Sequence, residues 1–142
     1  MSDLVDAVGL VSSRTALRPT AGIVLGSGLG AVAEGIEADI SIPYRDIPGF
    51  PCTTVAGHRG ELVIGTLEGV RVAALMGRPH LYEGYSPAQL GFPILLLGAL
   101  GVETLVVTNA AGGLAPQLEP GTLMLITPVA PGCCCRNCPT RS

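Results

Sequence analysis

The residues with the most chemical potential cluster in the segment MGRPHLYEGYSP, residues 76–87. Its Arg78 guanidinium can grip a phosphate or a carboxylate through two parallel hydrogen bonds. His80 can donate or relay a proton near neutral pH, and Glu83 could orient a neighbouring histidine. Tyr82 offers a flat ring with a hydroxyl at its tip. This combination predicts a site for an anionic ligand, although a solvated turn would contain the same residue types.

A second candidate site is the glycine-rich loop VLGSGLG, Val24–Gly30, which follows an apolar run and precedes a helical pattern. Glycines let the backbone turn tightly and present N–H groups to an anion, and Ser27 adds a hydroxyl. A structural glycine turn would give the same pattern. The loop also fits a dinucleotide fingerprint that ends at Ala31, with Asp46 further along the chain. A dinucleotide-binding, Rossmann-like module is therefore an alternative.

Two other segments could meet a ligand. GHRG, residues 57–60, contains His58, which by itself is typical of an exposed loop histidine. TNAAGG, Thr108–Gly113, follows the most apolar run of the chain, and its small residues leave room for a flat ligand beside free backbone N–H groups. A tight turn would explain the second segment equally well. With two histidines in the sequence, a histidine-based metal site has little support.

The elements that must position these residues can be predicted from hydrophobic periodicity and turn signals. Strands alternate with helices, and the strands are apolar enough to be buried, which is typical of an α/β fold. The predicted helices cover residues 3–17, a short stretch through Ala33, and 87–100, the last with Ser86 as N-cap and Gly101 as stop. The predicted strands cover 21–26, 38–44, 61–67, 70–76, 103–109 and 121–127, with a hairpin turn at Glu68-Gly69.

The composition suits one domain with an aliphatic core. The chain has 142 residues, of which 48% are hydrophobic, 13% are charged and 4% are aromatic. A net charge of −3 gives no electrostatic case for nucleic acid or an anionic membrane. The first ten residues lack the pattern of a signal peptide, and no apolar run is long enough to span a bilayer. We therefore expect a cytoplasmic protein.

Four segments together resemble one family: GSGLG, IPGFPCTTVAGHRGELVIGTLEG, MGRPHLYEGY and LVVTNAAGGL. In this order and spacing they are similar to purine nucleoside phosphorylases of the trimeric class, from about Gly22 to Thr127. The resemblance implies a mixed central β-sheet flanked by helices, in a cytoplasmic homotrimer. It implies phosphorolysis of purine nucleosides to free base and ribose 1-phosphate, with phosphate as co-substrate and no metal or organic cofactor. A related methylthioadenosine phosphorylase, which usually has Thr where Ser27 stands, is a second alternative.

The resemblance also implies roles for individual residues. His80 and Glu83 would form a catalytic pair, and Tyr82 would lie beside the ribose. The phosphate contacts would come from Ser27, His58, Arg78, His80 and the backbone N–H of Ala110.

The sequence departs from the family pattern after Thr127. We expect residues 1–127 to be the N-terminal part of one nucleoside phosphorylase domain, truncated and carrying mainly the phosphate half of the site. Residues 128–142 are then a disordered tail, of a composition that an out-of-frame reading would give. The consecutive Cys133, Cys134 and Cys135 cannot all converge on one ion without a strained backbone, which argues against structural zinc. A small metal-binding interaction protein, based on this tail, is a third alternative. We expect little turnover and poor solubility from such a chain.

Overall fold

A computed structural model of the chain describes residues 2–26, 29–52 and 59–126. Within these residues there are three α-helices, two short 3₁₀ turns and one five-stranded sheet. The helices are α1 (Ser2–Arg14), α2 (Gly30–Glu34) and α3 (Pro87–Ala99), and the 3₁₀ turns are Tyr44–Asp46 and Leu81–Glu83. The strands are β1 (Ala21–Leu25), β2 (Glu37–Pro43), β3 (Glu61–Leu67), β4 (Val70–Met76) and β5 (Thr104–Val107).

The strands lie in the order β2-β3-β4-β1-β5. The first three strands in this order pair antiparallel, whereas β1 lies parallel to both β4 and β5. This sheet confirms the predicted α/β class with a mixed central sheet flanked by helices. It does not support the dinucleotide alternative, because two strands, β3 and β4, separate β1 from β2 and from Asp46 after it.

The β3–β4 hairpin has the turn that its sequence predicts. Leu67 pairs with Val70, so the loop has two residues, Glu68 and Gly69. Both have positive φ, 49° and 78°, as a tight hairpin turn that follows the strand twist requires. The hairpin prediction is therefore confirmed, and it fixes the register of β4, which leads into Arg78.

The two faces of the sheet contribute to two cores. Along β3, Leu62 and Ile64 belong to a cluster with residues of α1 and α3, whereas Val63 between them belongs to a second cluster with Ile36 after α2. The same alternation continues along β4, where Leu75 belongs to the first cluster. Alternate side chains of a strand point to opposite faces, so the sheet is covered on both sides.

Helix α3 begins as its sequence predicts. The hydroxyl of Ser86 accepts from the backbone N–H of Gln89, and the Gln89 side chain accepts from the backbone N–H of Ser86. This reciprocal cap satisfies two amides that the first turn leaves without helical partners. Beyond the other end of the helix, Gly101 has a φ of 102°, which confirms it as the stop.

Helix α1 ends three residues earlier than the prediction of 3–17, at Arg14. The hydroxyl of Thr15 bonds to the carboxylate of Asp39 and accepts a hydrogen bond from the backbone N–H of Leu17. Thr15 therefore stops the helix by offering its backbone a local turn, before Pro19 could end it. Its partner Asp39 comes from β2, so the stop depends on a tertiary contact.

The prediction of a strand over residues 121–127 is wrong for the part that the structure describes. Residues 122–126 have no regular secondary structure and pair with none of the described strands, and Leu123 is 96% exposed. Apolar alternation favours a strand only where a neighbouring strand accepts its hydrogen bonds. Among the described strands, β5 forms one edge of the sheet, and all four of its residues are exposed.

The chain divides into two compact units, residues 1–110 and 111–142. The sheet and the helices belong to the first unit. In the described part of the second, 111–126, turns are closed by hydrogen bonds from the Leu118 N–H to Ala115 and from the Thr122 N–H to Glu119. The predicted domain boundary at 127–128 and the predicted disordered tail lie outside the described residues. Among the described helices, none has the length and apolar character needed to cross a membrane.

Candidate functional site

Three neighbouring parallel strands end on the same side of the sheet. Because β4, β1 and β5 are parallel and adjacent, their carboxyl ends lie side by side, with Leu25 paired to Met76 and Val24 paired to Val107. The segments that follow these ends contain Arg78 after β4, Gly26 after β1 and Ala110 after β5. Ligands of open α/β sheets bind at such carboxyl ends. The topology thus places three segments, which were identified separately from the sequence, side by side at the carboxyl ends of these strands.

Arg78 leaves β4 through a turn at Gly77. Gly77 has a φ of 97°, which favours glycine, and its N–H donates to the carbonyl oxygen of Leu75 at 3.1 Å. The half-buried Arg78 side chain and the half-buried His80 side chain line one cavity of about 410 Å³. A guanidinium beside an imidazole in a partly desolvated cavity attracts an anion more strongly than either group does in water.

The walls of this cavity are otherwise mainly apolar. They come from the ends of β1, β4 and β5, from the segment after β2, and from the first half of α3. The apolar lining residues are Val24, Phe50, Leu75, Pro79, Leu81, Leu90, Pro93, Ile94, Leu105 and Val107.

His80, Tyr82 and Glu83 share the 3₁₀ turn that follows Arg78. The backbone N–H of His80 donates to Glu83 Oε1 at 2.7 Å, and the backbone N–H of Glu83 donates to the His80 side chain. A ring nitrogen that accepts has no proton, so the neutral imidazole carries its proton on the other nitrogen. The Tyr82 ring stacks on the His80 ring with centroids 4.9 Å apart and planes at 10°. The turn therefore holds the imidazole from two sides, while Tyr82 itself is 75% exposed.

Ala110 is exposed and lies three residues beyond β5. Between them, Thr108 ties this segment to β1. Its hydroxyl donates to the carbonyl oxygen of Val24 at 2.8 Å and accepts from the backbone N–H of Gly26 at 3.1 Å. The start of the glycine-rich loop and the start of TNAAGG are thus bonded together.

Two of the predicted site residues, Ser27 and His58, lie outside the described residues, and so does the cysteine-rich tail. Among the residues that the structure does describe, no cluster of histidine, cysteine and carboxylate side chains could hold a metal ion. The described site residues Arg78, His80 and Glu83 all lie within or next to one turn.

Sequence reasoning missed three side chains that hold this region in place. The Tyr44 hydroxyl donates to the Gly77 carbonyl oxygen at 2.7 Å, and the Tyr85 hydroxyl donates to the Cys52 carbonyl oxygen at 2.6 Å. Thr108 belonged to a segment of interest, but its hydroxyl was not singled out. Tyr44 and Tyr85 each contact a residue 33 positions away, so no local signal could have found them.

The proteins of known sequence that resemble this chain are phosphorylases. Residues 20–132 match the phosphorylase superfamily. Over 128 residues the chain is 49% identical to purine nucleoside phosphorylase 1 of Bacillus subtilis, with 89% of this chain and 47% of the relative covered. Over 109 residues it is 56% identical to purine nucleoside phosphorylase 1 of Geobacillus stearothermophilus, with 77% and 40% covered.

The same family is found among solved structures. Isoform 2 of purine nucleoside phosphorylase from Schistosoma mansoni, in complex with cytosine and ribose-1-phosphate, superposes with a TM-score of 0.75 at 43% identity. The superposition covers 83% of this chain and 41% of the other. The chain thus spans less than half the length of each of these relatives. It belongs to the phosphorylase superfamily, and the relatives that it matches there are purine nucleoside phosphorylases.

Proposed function

We propose that the chain supplies the phosphate-binding part of a purine nucleoside phosphorylase. The observation that carries this proposal is the meeting of three parallel strand ends at one edge of the sheet, which brings the segments with Gly26, Arg78 and Ala110 together. Glycine-rich turns and exposed backbone N–H groups at strand ends are suited to phosphate oxygens. The identity to purine nucleoside phosphorylases of two bacteria supports the substrate class.

The proposed reaction is phosphorolysis of an N-glycosidic bond. A phosphate oxygen forms a bond to the anomeric carbon of the ribose as the bond to the purine nitrogen breaks. The purine keeps the electron pair of that bond and takes up a proton, and the products are the free base and ribose 1-phosphate. The sugar passes through an oxocarbenium-like state, whose positive charge the phosphate beneath it stabilises.

Each described residue has a proposed part in that reaction. Arg78 binds the phosphate dianion through two hydrogen bonds, and the backbone N–H of Ala110 donates a third. His80 donates to the same ion, with its ring held by the turn that Glu83 closes. The exposed face of Tyr82 contacts the ribose. Positioning of phosphate is the main contribution of this part of the chain.

The remaining partners follow from the family resemblance. We propose that the nucleoside and phosphate are the substrates, that no metal or organic cofactor takes part, and that the whole enzyme is a homotrimer of the cytoplasm in purine salvage. Ser27 and His58 complete the proposed phosphate contacts.

A chimera tests the proposed function. Residues 1–126 of this chain replace the matched part of the Bacillus subtilis relative, and inosine cleavage is measured with and without phosphate. We expect hypoxanthine and ribose 1-phosphate to form in equal amounts, only when phosphate is present. The same chimera with Arg78→Ala is the control for the phosphate site.

Other outcomes of this experiment would contradict the proposal. Inosine cleavage that does not need phosphate would indicate a hydrolase. A strong preference for methylthioadenosine over inosine would assign the chain to the related phosphorylase. A folded chimera that releases no base with either nucleoside would show that these residues cannot supply the phosphate half of the site.

A further inference from the structure

The side chain of Thr108 forms hydrogen bonds to the β1 segment just beyond the point where the backbone pairing between β1 and β5 ends. The last paired residues are Val24 and Val107. One position further, the Thr108 N–H and the Thr108 hydroxyl both donate to the carbonyl oxygen of Val24, at 3.1 and 2.8 Å. The hydroxyl also accepts from the N–H of Gly26 at 3.1 Å. Hydrogen bonds therefore connect the two segments for one residue beyond the last pair of the β-sheet.

The two backbones also approach closely at this point. A Cβ atom built on Gly26 would lie 3.2 Å from the carbonyl oxygen of Thr108 and 3.6 Å from the Cα of Asn109. Only a residue without a side chain fits this spacing without a shift of the neighbouring backbone. Gly26 and Thr108 thus form a matched pair, because the glycine permits the approach and the hydroxyl bonds across it.

Few side chains could make the same link. The Thr108 oxygen must donate to a carbonyl and accept from an amide at once, which a hydroxyl can do and a methyl group cannot. The distance to Gly26 is 82 residues along the sequence, so the link is wholly tertiary. Ala110, the proposed amide donor to phosphate, follows Thr108 by two residues.

We propose that Thr108 is a positioning residue for phosphate, which holds the Ala110 segment in fixed register against the end of β1 at Gly26. The inference rests on the proposed function and deepens it. Thr108 itself makes no contact with the phosphate. It acts by keeping the backbone N–H of Ala110, after β5, at a fixed distance from the end of β1. The site is therefore already formed when an anion binds.

The test uses the 142-residue chain and inorganic phosphate as the probe. Thr108→Val removes the hydroxyl and keeps the shape, whereas Thr108→Ser keeps the hydroxyl. Thr104→Val makes the same change at the exposed, opposite end of β5. For each variant, calorimetry gives the phosphate dissociation constant, amide hydrogen exchange reports on the Gly26 N–H, and thermal unfolding reports on stability.

We expect Thr108→Val to raise the phosphate dissociation constant about tenfold, as the loss of hydrogen bonds that order a site would do. The Gly26 amide should exchange faster in the same variant. Thr108→Ser should restore both values to within about threefold of the parent. Thr104→Val should leave phosphate binding unchanged.

Gly26→Ala is a second variant, which keeps the hydroxyl and forces the two segments apart. We expect it to weaken phosphate binding as well. Thr108→Val that binds phosphate like the parent would overturn the positioning role, whatever its stability. If Thr108→Val does not fold, normal phosphate binding by Gly26→Ala would overturn it instead. A parent chain that binds no phosphate would count against the proposed function itself, and this inference would fall with it.

Discussion

The hydroxyl of Tyr44 donates a 2.7 Å hydrogen bond to the carbonyl oxygen of Gly77, the residue that separates β4 from Arg78. Tyr44 is only 1% exposed, and its ring stacks on Phe50 with centroids 4.2 Å apart. The donor comes from the 3₁₀ turn after β2, at the far edge of the sheet from β5. A residue of the hydrophobic core therefore anchors the turn through which the chain passes from β4 to Arg78.

Replacing Tyr44 by Phe should destabilise the chain while leaving the core packed. The change removes the buried donor and leaves the Gly77 carbonyl oxygen without its partner, which costs about 1–3 kcal/mol. Chemical denaturation measures the free energy of unfolding. Tyr82→Phe is the matched control, because Tyr82 is 75% exposed and its loss should change stability by less than about 0.5 kcal/mol. Equal effects of the two variants would show that the Tyr44 hydroxyl adds nothing to stability.

Tyr44 should also make the fold sensitive to alkaline pH. Burial, and to a smaller extent the negative charge of Glu61, raises the pKa of Tyr44 far above its usual value. The unfolded chain releases the tyrosine proton above pH about 10, whereas the folded chain keeps it. This contribution to stability is therefore complete below pH 10 and is lost as the pH rises further, by about 1.4 kcal/mol per pH unit.

The alkaline effect is measured by denaturation between pH 8 and pH 11. Tyr44→Phe has no proton to release, so its stability should fall less steeply than that of the parent over this range. Parallel pH profiles would contradict the assignment of the slope to Tyr44.

Arg78 should dominate phosphate affinity. In the 142-residue chain, Arg78→Ala should weaken phosphate binding by roughly 2–3 kcal/mol, because truncation of a charged hydrogen-bonding partner costs about that much. Arg71→Ala is the control, since Arg71 is exposed near the start of β4, at the opposite end of the strand from Arg78. Calorimetry at low ionic strength compares the two. A similar loss in both variants would mean that net charge, and not the strand-end position, attracts the ion.

The cysteine-rich tail should not be a structural zinc site. Cys135 and Cys138 are the only cysteines of the tail with a two-residue gap between them, and neither a histidine nor a second such pair follows. Removal of metal with a chelator should therefore leave the unfolding temperature of the chain unchanged. Zinc that survives dialysis at one ion per chain, and is lost in Cys135→Ser with Cys138→Ser, would contradict this expectation.

Features that depend on neighbours in sequence could be predicted. The Glu68-Gly69 hairpin and the Ser86 cap of α3 depend on side chains and backbone within four residues of one another. Arg78 and His80 could be identified together for the same reason, because they lie two positions apart in the sequence. Local turn chemistry decides such elements before tertiary structure forms.

Features that depend on distant partners could not be predicted. Helix α1 stops early because Thr15 bonds to Asp39, and residues 122–126 pair with no strand despite a strand-like pattern. The roles of Tyr44 and Thr108 rest on contacts that span 33 and 84 residues. A single sequence carries no signal for such pairs, so these supporting contacts could not be predicted.

The edge strand β5 should make the chain prone to self-association. Among the strands that the structure describes it pairs only with β1, and its Val106 and Val107 are 48% and 55% exposed. An apolar edge strand with free backbone groups is a template for pairing with another chain. A charged side chain on such a strand opposes this pairing, so Val106→Lys should reduce association.

Light scattering and sedimentation of the purified chain measure this effect, and Val5→Lys is the matched control. Val5 is 70% exposed on α1, away from the sheet edge, so both variants gain the same charge. Each lysine changes the net charge from −3 to −2, which by itself lowers repulsion between chains and favours association. A gain in solubility from Val106→Lys alone must therefore come from the blocked edge. Equal solubility of the two variants would indicate that β5 is not the surface through which the chains associate.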